Sequence, residues 1–267
     1  MIAFFVSMPI IAYLSMIAFQ TMKLGAYNFE NKFVPYSLGI VIIYSYGYFY
    51  ALSTGLQSFS LLSFLFITSI WILGLIDDIW GKPYPKGLRG HVGYALHKKT
   101  ITTGLVKAVG TIIFSVLFVT GAFPFSLLVA FIAFSLCVGL PHVMNLFDTR
   151  PLRVWKVTFS FVLVTLLVNP LPSFRFILML LAAFYIWYVL EGYKKAMLGD
   201  NGATLVGAIM AVFSVYHLPL GMQVVLLCLS ALFVLIAERY SFSKIVDSSK
   251  FLRMIDQIGI MKKQQGG

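Results

Sequence analysis

The sequence predicts an all-α bundle of about nine membrane-spanning helices, and three observations predict it. First, the 267 residues are 60% hydrophobic and 11% charged with a mean hydropathy of +0.92, more apolar surface than a water-soluble fold of this size hides. Second, the apolar runs are continuous and about 20 residues long, enough to cross the roughly 30 Å hydrocarbon layer as helices that pair their own backbone groups. They do not alternate as barrel strands do. Third, the cations gather in one alternate set of linkers, as the positive-inside rule requires of a polytopic chain.

In chain order, helices are expected at 1 to 22, 36 to 54, 58 to 76, 104 to 120, 125 to 144, 157 to 171, 174 to 190, 203 to 218 and 219 to 237. The first has no basic start, and its first cation, Lys23, follows the apolar run. That order marks an uncleaved span with the amino end outside rather than a removable signal. The sixth and eighth are short or end near Pro170 and Pro219, which suits tilt or re-entry. Residues 1 to 237 are read as one transmembrane domain and 238 to 267 as a cytoplasmic tail. Phe251, Met254, Ile255, Ile258 and Met261 fall on one helical stripe of that tail, flanked by Lys250, Arg253, Lys262 and Lys263, the pattern of an interfacial amphipathic helix.

Of the 20 Lys and Arg residues, Arg175 alone falls in the opposite set of connections, so the long linkers and the carboxyl end are expected in the cytoplasm. The net charge of +11 is then a topogenic and headgroup-directed signal, and it calls for no nucleic acid. All nine carboxylates, Glu30, Asp77, Asp78, Asp148, Glu191, Asp200, Glu238, Asp247 and Asp256, share the cation-rich side. Cys137 and Cys228 sit in apolar runs without metal spacing and read as packing.

Three motifs carry candidate chemistry. GLIDDIWG (74 to 81) sets Asp77 and Asp78 where the third span leaves the membrane, and ionisable groups so near hydrocarbon are costly unless they have a task. Adjacent carboxylates repel, and a bound Mg2+ relieves the repulsion while leaving positions for phosphate oxygens. A bland alternative is a helix-end charge pair with Lys82 or Lys86. MNLFDTRPLRVWK (144 to 156) joins Asn145 and Asp148 to Arg150, Arg153 and Lys156, which suits a phosphate beside a metal or, more plainly, a capped helix end with topogenic cations. MLGDNGATLVG (197 to 207) places Asp200 between glycines at a helix start, where amides favour an anion and where an aspartate is also an ordinary cap. In the loop 81 to 104, His91 and His97 read as polar or phosphate contacts rather than metal ligands; His142 and His217 receive no role.

The order DD after the third span, NxxD after the fifth and GDxG before the eighth, with VPxxxG (Val34, Pro35, Gly39) after the first, resembles the polyprenyl-phosphate N-acetylhexosamine-1-phosphate transferases. That family includes the phospho-N-acetylmuramoyl-pentapeptide transferase and the transferases that start teichoic-acid and O-antigen synthesis. The resemblance covers about 35 to 205. It implies a bacterial inner-membrane enzyme of cell-envelope synthesis that transfers a sugar-1-phosphate from a UDP-sugar to a polyprenyl (undecaprenyl) phosphate, releasing UMP, with Mg2+ in a cytoplasmic cleft. By position, Asp77, Asp78 and Asp200 take the catalytic places, Asp78 and Asp200 the metal places, and Asn145 and Asp148 the NxxD places. Lys98, Lys99, Lys107, Arg150 and Arg153 are the cations available to the anionic substrates, and a homodimer is compatible with the family.

The chain departs from the family pattern in two places. Thr149, Arg150 and Pro151 replace the second half of NxxDGxxG, and residues 238 to 267 carry ERYSFSK and the amphipathic stripe in place of a histidine-rich loop and a tenth span. A non-catalytic relative that binds lipid-linked intermediates or scaffolds envelope synthesis is the alternative reading. A lipid or sugar transporter would need charges near the bilayer midplane, which the expected spans lack.

Overall fold

The structure is a computed structural model that describes residues 1–28, 31–53, 55–81, 102–123 and 126–261. Nine main helices follow one another: α1 (Ile2–Thr21), α2 (Leu38–Leu52), α3 (Leu61–Trp80), α4 (Thr103–Ala122), α5 (Leu127–Phe147), α6 (Arg153–Val168), α7 (Phe174–Gly192), α8 (Gly199–His217) and α9 (Leu220–Arg239). Two short helices, α10 (Phe242–Ser248) and α11 (Lys250–Gln257), form the tail. Between α1 and α2, β1 (Gly25–Tyr27) and β2 (Phe33–Pro35) make a small antiparallel hairpin in which Ala26 faces Val34.

Six helices, α1, α3, α4, α5, α7 and α9, are long and apolar enough to cross a membrane, which makes the chain a membrane protein. Of the others, α2 is a shorter apolar helix. The expected nine helices thus all exist, with shifted ends. α3 runs on to Trp80, so Asp77 and Asp78 lie in its last turn rather than beyond it. α6 starts at Arg153 and α8 at Gly199, four residues before each expected start, because tertiary partners hold their first turns.

Hydroxyl side chains start several helices: Ser60, Thr102, Ser126 and Ser173 each accept a backbone N–H from the residue three positions on. α8 has no such cap of its own. It is the axis of the bundle, buried along nearly its whole length and packed by α2, α3 and α5. Small residues make this possible, since a Cβ on Gly207 would lie 2.4 Å from the Pro141 Cα of α5. A Cβ on Gly74 of α3 would lie 2.6 Å from the Asp200 carbonyl oxygen.

Chain reversals bring the ends of α3, α5, α7 and α9 to the same end of the bundle as the starts of α4, α6 and α8. The hairpin is stitched there as well, with Met197 N–H donating to Pro35 (2.9 Å) and Leu38 N–H to Met197 (3.3 Å). At the far end, His217 Nε2 lies 2.9 Å from Ser58 Oγ, and the Phe123 and Tyr216 rings are 5.5 Å apart.

Candidate active site

The site forms around the amides at the start of α8, which have no partner within the helix. A helix begins with N–H groups that have no partner inside it, and their summed dipole draws negative charge. Here two other helices supply that charge. Asp78 of α3 accepts from Asp200 N–H through Oδ1 (2.9 Å) and from Asn201 N–H through Oδ2 (2.8 Å), while the Asn201 side chain donates a further bond of 2.7 Å to Oδ2. Asp148, which ends α5, lies beside the Gly199 amide. Two successive amides are thus bonded by Asp78, with a second carboxyl from another segment next to the amide before them.

Asp77, one position back on α3, points elsewhere. Its Oδ2 lies 2.6 Å from Lys107 Nζ, and the same ammonium lies 2.7 Å from Asp200 Oδ2. The Asp77 and Asp200 carboxyls lie close to each other, with Thr103 beside Asp77. The acid pair of GLIDDIWG is thus divided by the helical turn between its members. Asp78 anchors α8, and Asp77 faces Asp200 across Lys107.

Around this centre, Tyr36 packs its ring on Gly199, where a Cβ would lie 2.7 Å from Tyr36 Cγ. Gly199 has φ +64, the left-handed region that side chains disfavour, so glycine is needed there on two counts. Burial pushes the Tyr36 phenol up to about 12, and Asp78, Asp200 and Asp148 add to the effect. It therefore stays a neutral hydroxyl beside the acids. The carboxyl of Asp148 is held well above its ordinary value by burial and by the charges of Glu191, Asp200 and Asp78, against the pull of the Gly199 amide. Gly39 of the VPxxxG segment lets α2 approach, because a Cβ there would fall 1.6 Å from Asn201 Oδ1.

Glu191 is not the surface charge that its place in the sequence implies. It is buried, accepts from Trp187 Nε1 (2.7 Å), and lies close to Leu152 and Asp148. Leu152 is fully buried at φ +65, a costly conformation for leucine.

Of the expected phosphate-binding cations, Lys107 is at the centre. Arg150 and Arg153 are not directed at it, because the tail supplies them with carboxylates. Arg150 grips Asp247 through two bonds (2.7 and 2.9 Å) and reaches Asp256 at 3.2 Å. Arg153 pairs with both oxygens of Asp256, and each of these two side chains is only 6% exposed. Lys156 Nζ donates to the carbonyls of Ile255 and Asp256, both at 2.8 Å. Asp247 and Asp256 are therefore tail anchors and not free surface acids, whereas Glu238 is exposed. Asn145 sits one turn before Asp148 and makes no side-chain hydrogen bond among the described residues. Lys98, Lys99, His91, His97, Lys82, Lys86 and Glu30 lie outside the described residues.

Among the described residues, no three His, Cys, Asp or Glu side chains form a ready metal-holding group. Mg2+ needs fewer, since it commonly takes one or two carboxylates and fills its shell with water and phosphate oxygens. The all-oxygen pair Asp77 and Asp200 fits that demand. Asp78 fits it less well than its place in the motif implies, because three N–H donors already engage its oxygens. Comparison with protein-family models, curated proteins and solved structures returns no match for the chain.

Sequence reasoning missed Asn201, Tyr36 and Thr103. Asn201 follows Asp200 directly in GDNG, and a polar residue one position into a helix is the available signal. Tyr36 and Thr103 carry none, since their importance comes from packing between distant segments.

Proposed function

We propose that the chain is a Mg2+-dependent transferase that moves a sugar-1-phosphate from a UDP-sugar to a polyprenyl phosphate and releases UMP. In this reading the nine main helices span a bacterial inner membrane, with the amino end outside and the acidic end in the cytoplasm. The observation that carries it is the meeting of Asp77, Asp78, Asp148 and Asp200, from three separate segments, around the start of α8, with Lys107 between Asp77 and Asp200. A lone motif would not require such a meeting, whereas a reaction between two phosphate-bearing substrates does.

In the reaction, an oxygen of the lipid phosphate attacks the sugar-bearing phosphorus of the nucleotide. The bond from that phosphorus to the bridging oxygen breaks, and UMP departs with the electron pair. Both partners are anionic, so positive charge must come first. Lys107, held between Asp77 and Asp200, is placed to meet a phosphate oxygen without leaving its helix. Mg2+, when bound by Asp77 and Asp200, supplies charge neutralisation of the diphosphate and the departing UMP. Asp77 takes up the proton of the lipid phosphate, and Asp78 keeps the start of α8 in register. The Tyr36 hydroxyl, un-ionised, is a donor for a substrate oxygen.

The non-catalytic reading is favoured by one set of contacts: Lys107 already balances two of the acids, and the tail already balances Arg150 and Arg153. Activity decides between them. Purified protein with Mg2+ and undecaprenyl phosphate is expected to release UMP from a UDP-sugar, and Asp77→Asn or Asp200→Asn to abolish release in protein that still elutes as a folded species, assayed well below its melting temperature. Asp78→Asn should instead weaken folding by about 2 kcal/mol, the size expected when a charged hydrogen-bond acceptor is lost. Wild-type protein that stays inert across a panel of nucleotide sugars, yet binds the lipid, would establish the scaffold.

A further inference from the structure

On the opposite side of α8 from Asp200 lies a cavity of about 440 Å3, bounded by α2, α6, α7 and α8. Its volume is in the range that encloses a ligand, and native interiors leave few voids larger than a water molecule. The wall is mostly aromatic and aliphatic, including Phe49, Phe161, Ala183 and Phe184, with no charged side chain in it. An apolar void of this kind does not hold water stably. Ser53, Asn169, Ser173 and His217 line it at the far end of the bundle, and Ser45, Thr158 and Thr165 are polar side chains deeper in.

Two features name the occupant. Along α8 the cavity runs from Val206 to His217, a length of about 16 Å by the helical rise, close to half the roughly 30 Å hydrocarbon layer. That is the depth of one leaflet. At the mouth, Ser173 and Phe176 line the cavity, and Arg175 lies between them, exposed. Arg175 is the only Lys or Arg at that end among the described residues, and no carboxylate accompanies it there. Arg175, outside the cavity wall but exposed at the same end of the bundle, offers a cation for the phosphate of a lipid whose hydrocarbon chain enters the cavity.

We propose that the cavity holds one acyl chain of a phospholipid from the leaflet at the Arg175 end, with the lipid phosphate at Arg175. This site is separate from the acidic end and does not depend on the proposed transfer reaction. The floor of the shaft includes Trp187, whose indole reports on the occupant directly.

The test uses the full chain in nanodiscs that contain phosphatidylglycerol with brominated acyl chains. The Trp187 signal is taken as the difference between wild type and Trp187→Phe. The brominated chain is expected to quench this signal at least threefold more in wild type than in Ala183→Phe, which fills the shaft. Ile209→Phe provides a second filling variant should Ala183→Phe fail to elute as a folded monodisperse species. Unlabelled phosphatidylglycerol should relieve the quenching at severalfold lower mole fraction than diacylglycerol, which lacks the phosphate, and Arg175→Gln should erase that difference. Equal quenching in wild type and both filling variants would overturn the proposal. So would equal competition by the two lipids, or relief by polyprenyl phosphate at tenfold lower mole fraction than phosphatidylglycerol.

Discussion

With methionine in place of Lys107, the Asp77 and Asp200 carboxylates would face each other with no cation between them. Removing one partner of a largely buried ion pair costs about 3 to 5 kcal/mol, and the lower end applies here because Asp200 is 34% exposed. Lys107→Met is therefore expected to lower stability by about 3 kcal/mol in detergent unfolding. Added Mg2+ should restore more of the loss in Lys107→Met than it adds to wild type, since a divalent ion can take the vacated place between the acids. A melting temperature equally indifferent to Mg2+ in both proteins would speak against Asp77 and Asp200 as a cation site. At Gly199, alanine meets both the φ of +64 and the Tyr36 ring, so Gly199→Ala should cost at least about 1 kcal/mol.

The tail shows how an element finds its place by charge. Apolar Phe251, Met254 and Ile258 of the α11 region are exposed, while Asp256 on the other face is buried against Arg153. The helix is thus docked by its acidic face and leaves its apolar residues exposed, as the proposed interfacial tail requires. Burial opposes ionisation of Asp256, but the bonds from Arg153 and Arg150 outweigh it and hold the carboxyl below its ordinary value. Asp247, fully at the surface, is also held low, chiefly by its bond from Arg150. A carboxyl with a lowered folded-state pKa stabilises above its unfolded value of about 3.9, and that contribution is lost as pH falls through the folded value. Docking should therefore be constant from neutral pH down to about 5 and fail only below about 4, as read by protease cleavage at the tail. A double-mutant cycle of Arg153→Ala and Asp256→Ala should give a coupling energy of about 2 to 3 kcal/mol. Phe251, Met254 and Ile255 were legible as a helical stripe from their spacing, whereas the end of α11 at Gln257, before Ile258 and Met261, was not. The clamp was not, since Arg150 and Arg153 stand about a hundred positions from their partners and look the same whether they await a phosphate or hold an aspartate.

For the whole molecule, alternation of the helices places Lys195 and Ser249 at the acidic end and Leu171 at the far end. In a Cys228→Ser background, cysteines at positions 195 and 249 should react with an impermeant maleimide from one side of sealed vesicles, and a cysteine at 171 from the other. Labelling of all three from one side would break the proposed nine-span topology. Hydropathy found all nine helices because apolar length is written locally. The convergence of the acids followed from motif order and alternation. Which carboxylate anchors and which faces the cleft did not, since one step along α3 turns a side chain by about 100° and only the neighbours give that turn a meaning.

The division of labour at Asp78 and Asp148 also bears on biogenesis. A membrane chain is inserted in the order of its synthesis, and α8, with Gly199, Asp200 and Asn201 in its first turn, is a poor candidate to partition into lipid unaided. In the proposed topology α3 and α5 precede it in the chain, and Asp78 of α3 bonds two of its first amides. On that reading the central helix would enter a slot prepared by earlier segments, and the acid that marks the site would double as the docking point for a late arrival.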